Sequence, residues 1–149
     1  MKIFIGSDHR GVDFKAKIIQ ILQEEGYDVE NCGTNSEESC DYPRIASKVG
    51  HAVVHTSDAR GILLCMSGIG QAIAANKVRG IRAALCYNSE AAKLSRQHND
   101  ANVLVLSAKF TPENELKNIL NVWLTTAFEG GRHQRRVDLI GDLEDGKEL

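Results

Sequence analysis

Cys65 closes a short apolar run and opens the turn Met66-Ser67-Gly68-Ile69-Gly70, after which Gln71 to Lys77 carry the small-residue pattern of a helix. A thiol, a hydroxyl and two glycines at a strand-to-helix junction fit few chemistries. The backbone N–H groups of Met66 to Gly70 converge at a helix N-terminus, where the dipole favours an anion or a developing oxyanion. A thiol at such a position is more readily ionised, which suits a base or nucleophile near neutral pH. The plain alternative is a tight corner whose glycines serve only the turn, and the turn by itself leaves both open.

Rival motifs fail on single residues. Gly68 and Gly70 supply the first pair of a dinucleotide-binding G-x-G-x-x-G, but Ile73 takes the third place, where a branched side chain opposes close helix–strand packing. A cysteine phosphatase needs an arginine after a five-residue loop, and Gln71 stands there. No glycine-rich turn leads into the G-K-[ST] of a Walker loop.

Other polar groups follow the same pattern of strand tips and helix ends. "SDHRG" places Asp8 and His9 together; taken alone they read as a cap and a solvated histidine. "RQHND" ends a helical stretch with His98 and Asn99, and a histidine there also suits the helix dipole. Arg132 and Arg136 in "GGRHQRR" are four apart, so they share a helix face and could grip a phosphate dianion by forked hydrogen bonds. His51 and His55 also lie four apart but lack the glutamate of H-E-x-x-H, and they read as surface histidines. Cys32, Cys40 and Cys86 form no C-x-x-C pair with each other or with Cys65; reduced thiols and no structural zinc are expected. Together these groups suggest a small phosphorylated substrate and acid–base chemistry.

The elements that must hold them alternate between strand and helix. "KIFIG", "YDVENC", "GILLC", "IRAALC" and "NVLVLS" read as five strands, the last three almost continuously apolar, as in a parallel sheet covered on both faces. Helices are expected over Val12 to Glu25, Ile45 to His55, Ser89 to His98 with Ser89 as its cap, Pro112 to about Phe128, and Gln134 to Leu143. The pattern predicts a single α/β domain over residues 1–149: a three-layer α/β/α Rossmann-like fold with a five-stranded parallel sheet. In such sheets ligands bind beyond the carboxyl ends of the strands, so the tips "SDH", "MSGIG" and "YNS" and the long loop Gly33 to Pro43 are where the chemistry belongs.

Composition narrows the class. Eighteen basic and 20 acidic residues give a net charge of −2, which argues against nucleic acid as a partner. No apolar run nears the roughly 20 residues of a membrane span, and "MKIFIGSDHRG" passes straight into a strand, so a cytoplasmic protein without membrane contact is expected.

Five ordered motifs, "GSDHRG", "GT" with "DYP", "GILLCMSGIGQAIAANKVRGIRAALC", "LSRQHNDANVL" and "EGGRHQRRV", run from residue 6 to residue 137. In combination they resemble the type B ribose-5-phosphate isomerases, a family grouped with galactose-6-phosphate isomerase subunits. The resemblance implies aldose–ketose isomerisation of ribose 5-phosphate and ribulose 5-phosphate in the pentose phosphate pathway, through an enediolate and with no metal or other cofactor. It implies Cys65 as the base between the two carbons, Ser67 as the proton shuttle between the two oxygens, and the turn of Met66, Gly68, Ile69 and Gly70 as the enediolate's cradle. His98 with Asp8 would open the sugar ring, His9, Arg132 and Arg136 would hold the phosphate, and Tyr42 and Asn99 would line the sugar.

The family is dimeric with shared sites, so a homodimer is implied; further pairing into a dimer of dimers is left open. Met66 departs from the family's usual glycine, and it would strain the turn if that position needed a positive φ. A six-carbon sugar phosphate (allose or galactose 6-phosphate), or a non-catalytic sugar-phosphate or nucleotide binding module, are the alternatives this sequence leaves standing.

Overall fold

The computed structural model describes residues 1–36 and 38–149, so Glu37 of the long polar loop lies outside the described residues. Five strands, β1 (Lys2–Ser7), β2 (Asp28–Asn31), β3 (Ala59–Cys65), β4 (Ala83–Leu85) and β5 (Val103–Ser107), form one parallel sheet in the order β2-β1-β3-β5-β4. Six α-helices connect or follow them: α1 (Val12–Glu24), α2 (Tyr42–Val54), α3 (Ile69–Ala75), α4 (Ser89–Asn99), α5 (Leu116–Thr125) and α6 (Arg132–Glu144).

Parallel neighbours need crossovers, and their common right hand decides which face each helix covers. Connections running toward the β2 edge and those running toward the β4 edge therefore fall on opposite faces. Ile18 and Leu22 of α1, Ala92 of α4, and Ile119, Leu120 and Trp123 of α5 close over Ile3, Ile5, Ile62, Leu64, Leu104 and Leu106. On the other face Ala46, Val49 and Val53 of α2 and Ala75 of α3 cover Phe4, Leu63, Val103 and Val105. Successive strand residues alternate faces, so an unbroken apolar run such as Ile62-Leu63-Leu64 feeds both cores. Each such fully buried side chain contributes about 1.5–3 kcal/mol.

Helix α6 belongs to neither core. Of its residues only His133 is buried, and its far end is tied down by Glu144, which accepts from the Gly80 N–H at 2.9 and 3.0 Å, and by the Arg79–Asp145 ion pair. Leu139, Ile140 and Leu143 on this helix are exposed.

Several boundaries differ from the expected ones for identifiable reasons. Helix α2 begins at Tyr42, three residues earlier than its apolar pattern, with Pro43 in its first turn. Asn88, not Ser89, caps α4: its side chain accepts from the Ala91 N–H at 2.8 Å. A 3₁₀ turn at Glu113–Glu115 precedes α5, so that helix starts at Leu116. Helix α6 starts at Arg132, two residues early, after Gly130 and Gly131 take positive φ values of 66° and 56°.

Candidate active site

The connection leaving β1 goes to one face and that leaving β3 to the other, so their carboxyl ends flank the crevice where ligands bind in open parallel sheets. Ser7 pairs in register with Leu64, which brings the next residues, Asp8 and Cys65, to the same level at the rim.

The turn after Cys65 is built on Gly68. Its φ is +83°, and an added Cβ would sit 2.4 Å from Leu85 Cδ1 and 3.1 Å from the Leu106 carbonyl oxygen. Both backbone and space demand glycine there. This geometry aims the Gly68 N–H at Cys65 Sγ, 3.2 Å away, and Ile69 N–H donates to Ser67 Oγ at 3.3 Å. Two of the five amides expected to face a ligand are therefore engaged within the turn, while those of Met66, Ser67 and Gly70 meet no acceptor among the described residues. Met66 does not carry a positive φ; among the described non-glycine residues only Asp58 and Asp100 do. The anticipated strain at Met66 is absent, and its side chain is exposed.

Neighbouring elements hold the turn. Ser107, buried at the tip of β5, donates to the Met66 carbonyl at 2.6 Å, Lys109 N–H donates to the same carbonyl at 3.1 Å, and Tyr87 Oη donates to the Ser67 carbonyl at 3.2 Å. Gln71 is fully buried and its amide donates to the Leu64 carbonyl at 3.3 Å. Tyr42 lies against Gly70, where an added Cβ would come within 2.6 Å of the ring.

Asp8 does cap the short turn His9–Gly11, accepting from the Arg10 N–H at 3.0 Å, as its plain reading had it. His9 Nδ1 accepts from the Cys40 N–H at 3.3 Å, which ties the long loop to the rim. Lys15 anchors the other end of that loop. Its buried ammonium donates to Asn31 Oδ1 at 3.1 Å, to Asn35 Oδ1 at 3.0 Å and to the Thr34 carbonyl, and burial pulls its pKa below the ordinary lysine value.

The remaining candidates form a second group. Helix α4 runs from the carboxyl end of β4 back to the amino end of β5, so His98 and Asn99 lie at the opposite end of the sheet from Cys65. β3 has seven residues, which separates the two ends by about 20 Å. Asp100, in left-handed conformation at φ +46°, pairs with Arg96 at 2.8 Å and Arg82 at 3.0 Å and so fixes this helix end. The His98 and His133 rings stack with centroids 4.1 Å apart and planes 8° from parallel. Glu129 Oε2 lies 3.5 Å from His133 Nε2 and 4.0 Å from His98 Nε2. Burial first, then the nearby His98 and Arg132, push His133 below the ordinary histidine range. Arg132 and Arg136, both exposed, stand one helical turn apart on α6 beside this cluster.

The candidate residues thus fall into two groups on one chain: Asp8, His9, Tyr42 and the Cys65–Gly70 turn at one end of the sheet, and His98, Asn99, Arg132 and Arg136 at the other. A cleft of about 770 Å³ adjoins Asn99 and is lined by Arg79, Arg82, Ile140 and Leu143 among others, and one of about 420 Å³ adjoins His9; neither is lined by Cys65. His51 and His55 have no carboxylate partner in a metal-like cluster among the described residues. All four cysteines are free.

Ser107 and Lys15 carry no mark in the sequence, while Tyr87 falls in the tip "YNS" and Glu129 and His133 in "EGGRHQRRV" without a role of their own. Ser107 was nonetheless within reach by position, since "SAKF" follows β5 as the other loops follow their strands. His133 sits inside the quoted "GGRHQRR" but has no spacing that marks it.

Fold and site together define a three-layer α/β protein with a thiol under a backbone-lined turn at the switch point of its sheet. The profile of the family described as Ribose/Galactose Isomerase matches residues 3–140, and the chain belongs to that family. It is 46% identical over 143 residues to ribose-5-phosphate isomerase B of Escherichia coli, covering 96% of each chain. The structure of Clostridium thermocellum ribose-5-phosphate isomerase B is similar at a TM-score of 0.95 and 48% identity, over 98% of this chain and 99% of that one. The Mycoplasma genitalium enzyme, solved with bound ribulose-5-phosphate, is similar at a TM-score of 0.93 and 42% identity, over 98% and 97% of the two chains. No helix among the described residues is long and apolar enough to cross a membrane.

Proposed function

We propose that this chain interconverts ribose 5-phosphate and ribulose 5-phosphate, and that it does so as a homodimer in which each site joins the Cys65 end of one copy to the His98 end of the other. The observation that carries the reading is the division of the site residues between opposite ends of the sheet. A sugar phosphate that needs both a proton-transfer centre and an arginine pair meets them at opposite ends of one copy, too far apart to use together. A two-fold pairing supplies both, twice over.

The chemistry then follows from the turn. Aldose and ketose are isomers, so moving one proton between carbons and one between oxygens balances the reaction. Cys65 as thiolate takes the proton from the carbon beside the carbonyl and returns it to the neighbouring carbon; Ser67 passes the hydroxyl proton between the two oxygens. The free amides of Ser67 and Gly70 suit the negative charge of the enediolate, and one such donor is worth about 2.7–4 kcal/mol in comparable sites. The Gly68 N–H donates to the Cys65 sulfur at 3.2 Å and so fixes where the sulfur stands in the turn. His98, with Asp8, opens the furanose, and His9 with the partner's Arg132 and Arg136 holds the phosphate, while Tyr42 and Asn99 flank the sugar. We take the setting as cytoplasmic, in the pentose phosphate pathway, with a small sugar phosphate as partner and no nucleic acid; further pairing of dimers stays open.

Incubation with ribose 5-phosphate should yield ribulose 5-phosphate, with Cys65→Ala lowering kcat by about 10²–10⁴-fold. No turnover by the parent, or a Cys65→Ala variant equal to it, would overturn the proposal. Allose and galactose 6-phosphate assayed alongside give the preference between five- and six-carbon sugars.

A further inference from the structure

We propose that His98, Glu129 and His133 form a binding site for one divalent late-transition-metal ion, Zn²⁺ foremost, and that filling it switches off turnover. One donor atom from each residue lies within 4.8 Å of the others, with Glu129 Oε2 3.5 Å from His133 Nε2 and 4.0 Å from His98 Nε2. Bonds of about 2.0–2.2 Å in a tetrahedral site require donors about 3.3–3.5 Å apart, which Glu129 and His133 already meet; the half-exposed His98 ring, stacked 8° from parallel on His133, must turn out of the stack to aim its lone pair at the same point.

The donors come from rigid backbone. Glu129 N–H donates to the Gln97 carbonyl at 3.0 Å, which locks the segment before α6 onto the end of α4. Gly130 and Gly131, both at positive φ, then return the chain so that His133 falls over His98. His133 is buried, whereas His98 and Glu129 are partly open to solvent, which leaves a way in for the ion and a fourth position for water. Two imidazoles and one carboxylate with an open position is a ligand set that zinc takes. Arg132 opposes it, with Nε 3.5 Å from His133 Nε2, but this guanidinium is exposed and free to swing aside.

The inhibitory half rests on the proposed role of His98 in ring opening. A metal on Nε2 removes the lone pair through which that nitrogen would exchange a proton with the sugar, so the ion and the reaction exclude each other.

Cobalt(II) separates the site from the function, because its visible bands report tetrahedral binding and a near-ultraviolet charge-transfer band reports thiolate. The metal-free parent should bind one Co²⁺ per chain without the thiolate band. Cys65→Ser should bind equally well, and His133→Ala and Glu129→Gln about 10–100-fold more weakly. Glu129 is half exposed, so Glu129→Gln keeps the test valid if the buried His133→Ala fails to fold. No tetrahedral spectrum, unchanged affinity in Glu129→Gln, or a thiolate band lost with Cys65→Ser would overturn the site. Zn²⁺ should then slow isomerisation by the parent, reversibly with chelator, and Glu129→Gln should need at least 10-fold more Zn²⁺ for the same fractional inhibition. Cobalt bound as described with turnover unaffected by Zn²⁺ overturns the switch, whereas a metal-free parent without isomerase activity overturns the functional proposal and leaves the cobalt spectrum to decide the site.

Discussion

The hydroxyl of Ser107, at the tip of β5, donates to the carbonyl of Met66, in the turn after β3, at 2.6 Å. The same oxygen accepts from the Lys109 and Phe110 amides at 3.2 and 2.8 Å, so a single buried hydroxyl joins two adjacent strand tips. Orientation of the Cys65 turn therefore depends on a residue that need not touch the sugar.

Ser107→Ala should leave the Phe110 amide without its acceptor and the Met66 carbonyl with the Lys109 N–H alone, at a cost of about 1–3 kcal/mol in urea unfolding. Loosening the turn should lower kcat by about 10–100-fold, because small misplacements of reacting groups are costly. Parent-like kinetics in the folded variant would show that the bracket does not set the geometry.

Gly68 and Gly70 should respond differently to alanine. At Gly68 a methyl group meets both positive φ and the Leu106 backbone, so a loss of about 1–3 kcal/mol and of most activity is expected. At Gly70 the obstacle is the movable Tyr42 ring, so stability should hold within about 0.5 kcal/mol while KM rises. Thermal unfolding beside steady-state kinetics distinguishes the two.

Met66→Gly should give little catalytic gain, because residue 66 has no positive φ to relieve. The added chain freedom should cost about 0.4–1 kcal/mol of stability. A large rise in kcat would mean that the exposed methionine side chain obstructs the sugar.

Mixing two inactive variants tests the shared site. After subunits of Cys65→Ala and His98→Ala are unfolded and refolded together, half of the dimers should be mixed and hold one intact site of two, restoring about one quarter of parental activity. A site confined to one copy predicts no recovery.

Stability should also fall in alkali through Cys86. Burial pushes this thiol up to about 11, so between about pH 9 and pH 11 the unfolded chain loses a proton that the folded one keeps. Unfolding releases protons in that window, and stability declines with rising pH by about 2–3 kcal/mol in total. Cys86→Ala should flatten this part of the stability curve; an equal slope in both proteins would assign the decline to other groups.

Much of the local design was legible. The three apolar runs became buried strands because residues covered on both faces need no alternation, and Cys65 stood out because it ends one of them at a glycine turn. Helix ends were less legible. Tyr42 starts a helix whose apolar stripe begins at Ile45, and Arg132 starts one whose break is the glycine pair before it, since capping geometry depends on φ values that periodicity does not record.

By itself, then, the sequence determined the class of fold and the turn that follows Cys65, because those depend on residue type and short-range spacing. The tertiary structure alone decided that Met66 is unstrained, that Ser107 holds the turn, that His133 stacks on His98, and that His98 faces away from Cys65. The physical reason is that helices return antiparallel to their strands. Residues at a strand tip and at the end of the following helix come out at opposite ends of the strands, a separation that no count along the chain reveals.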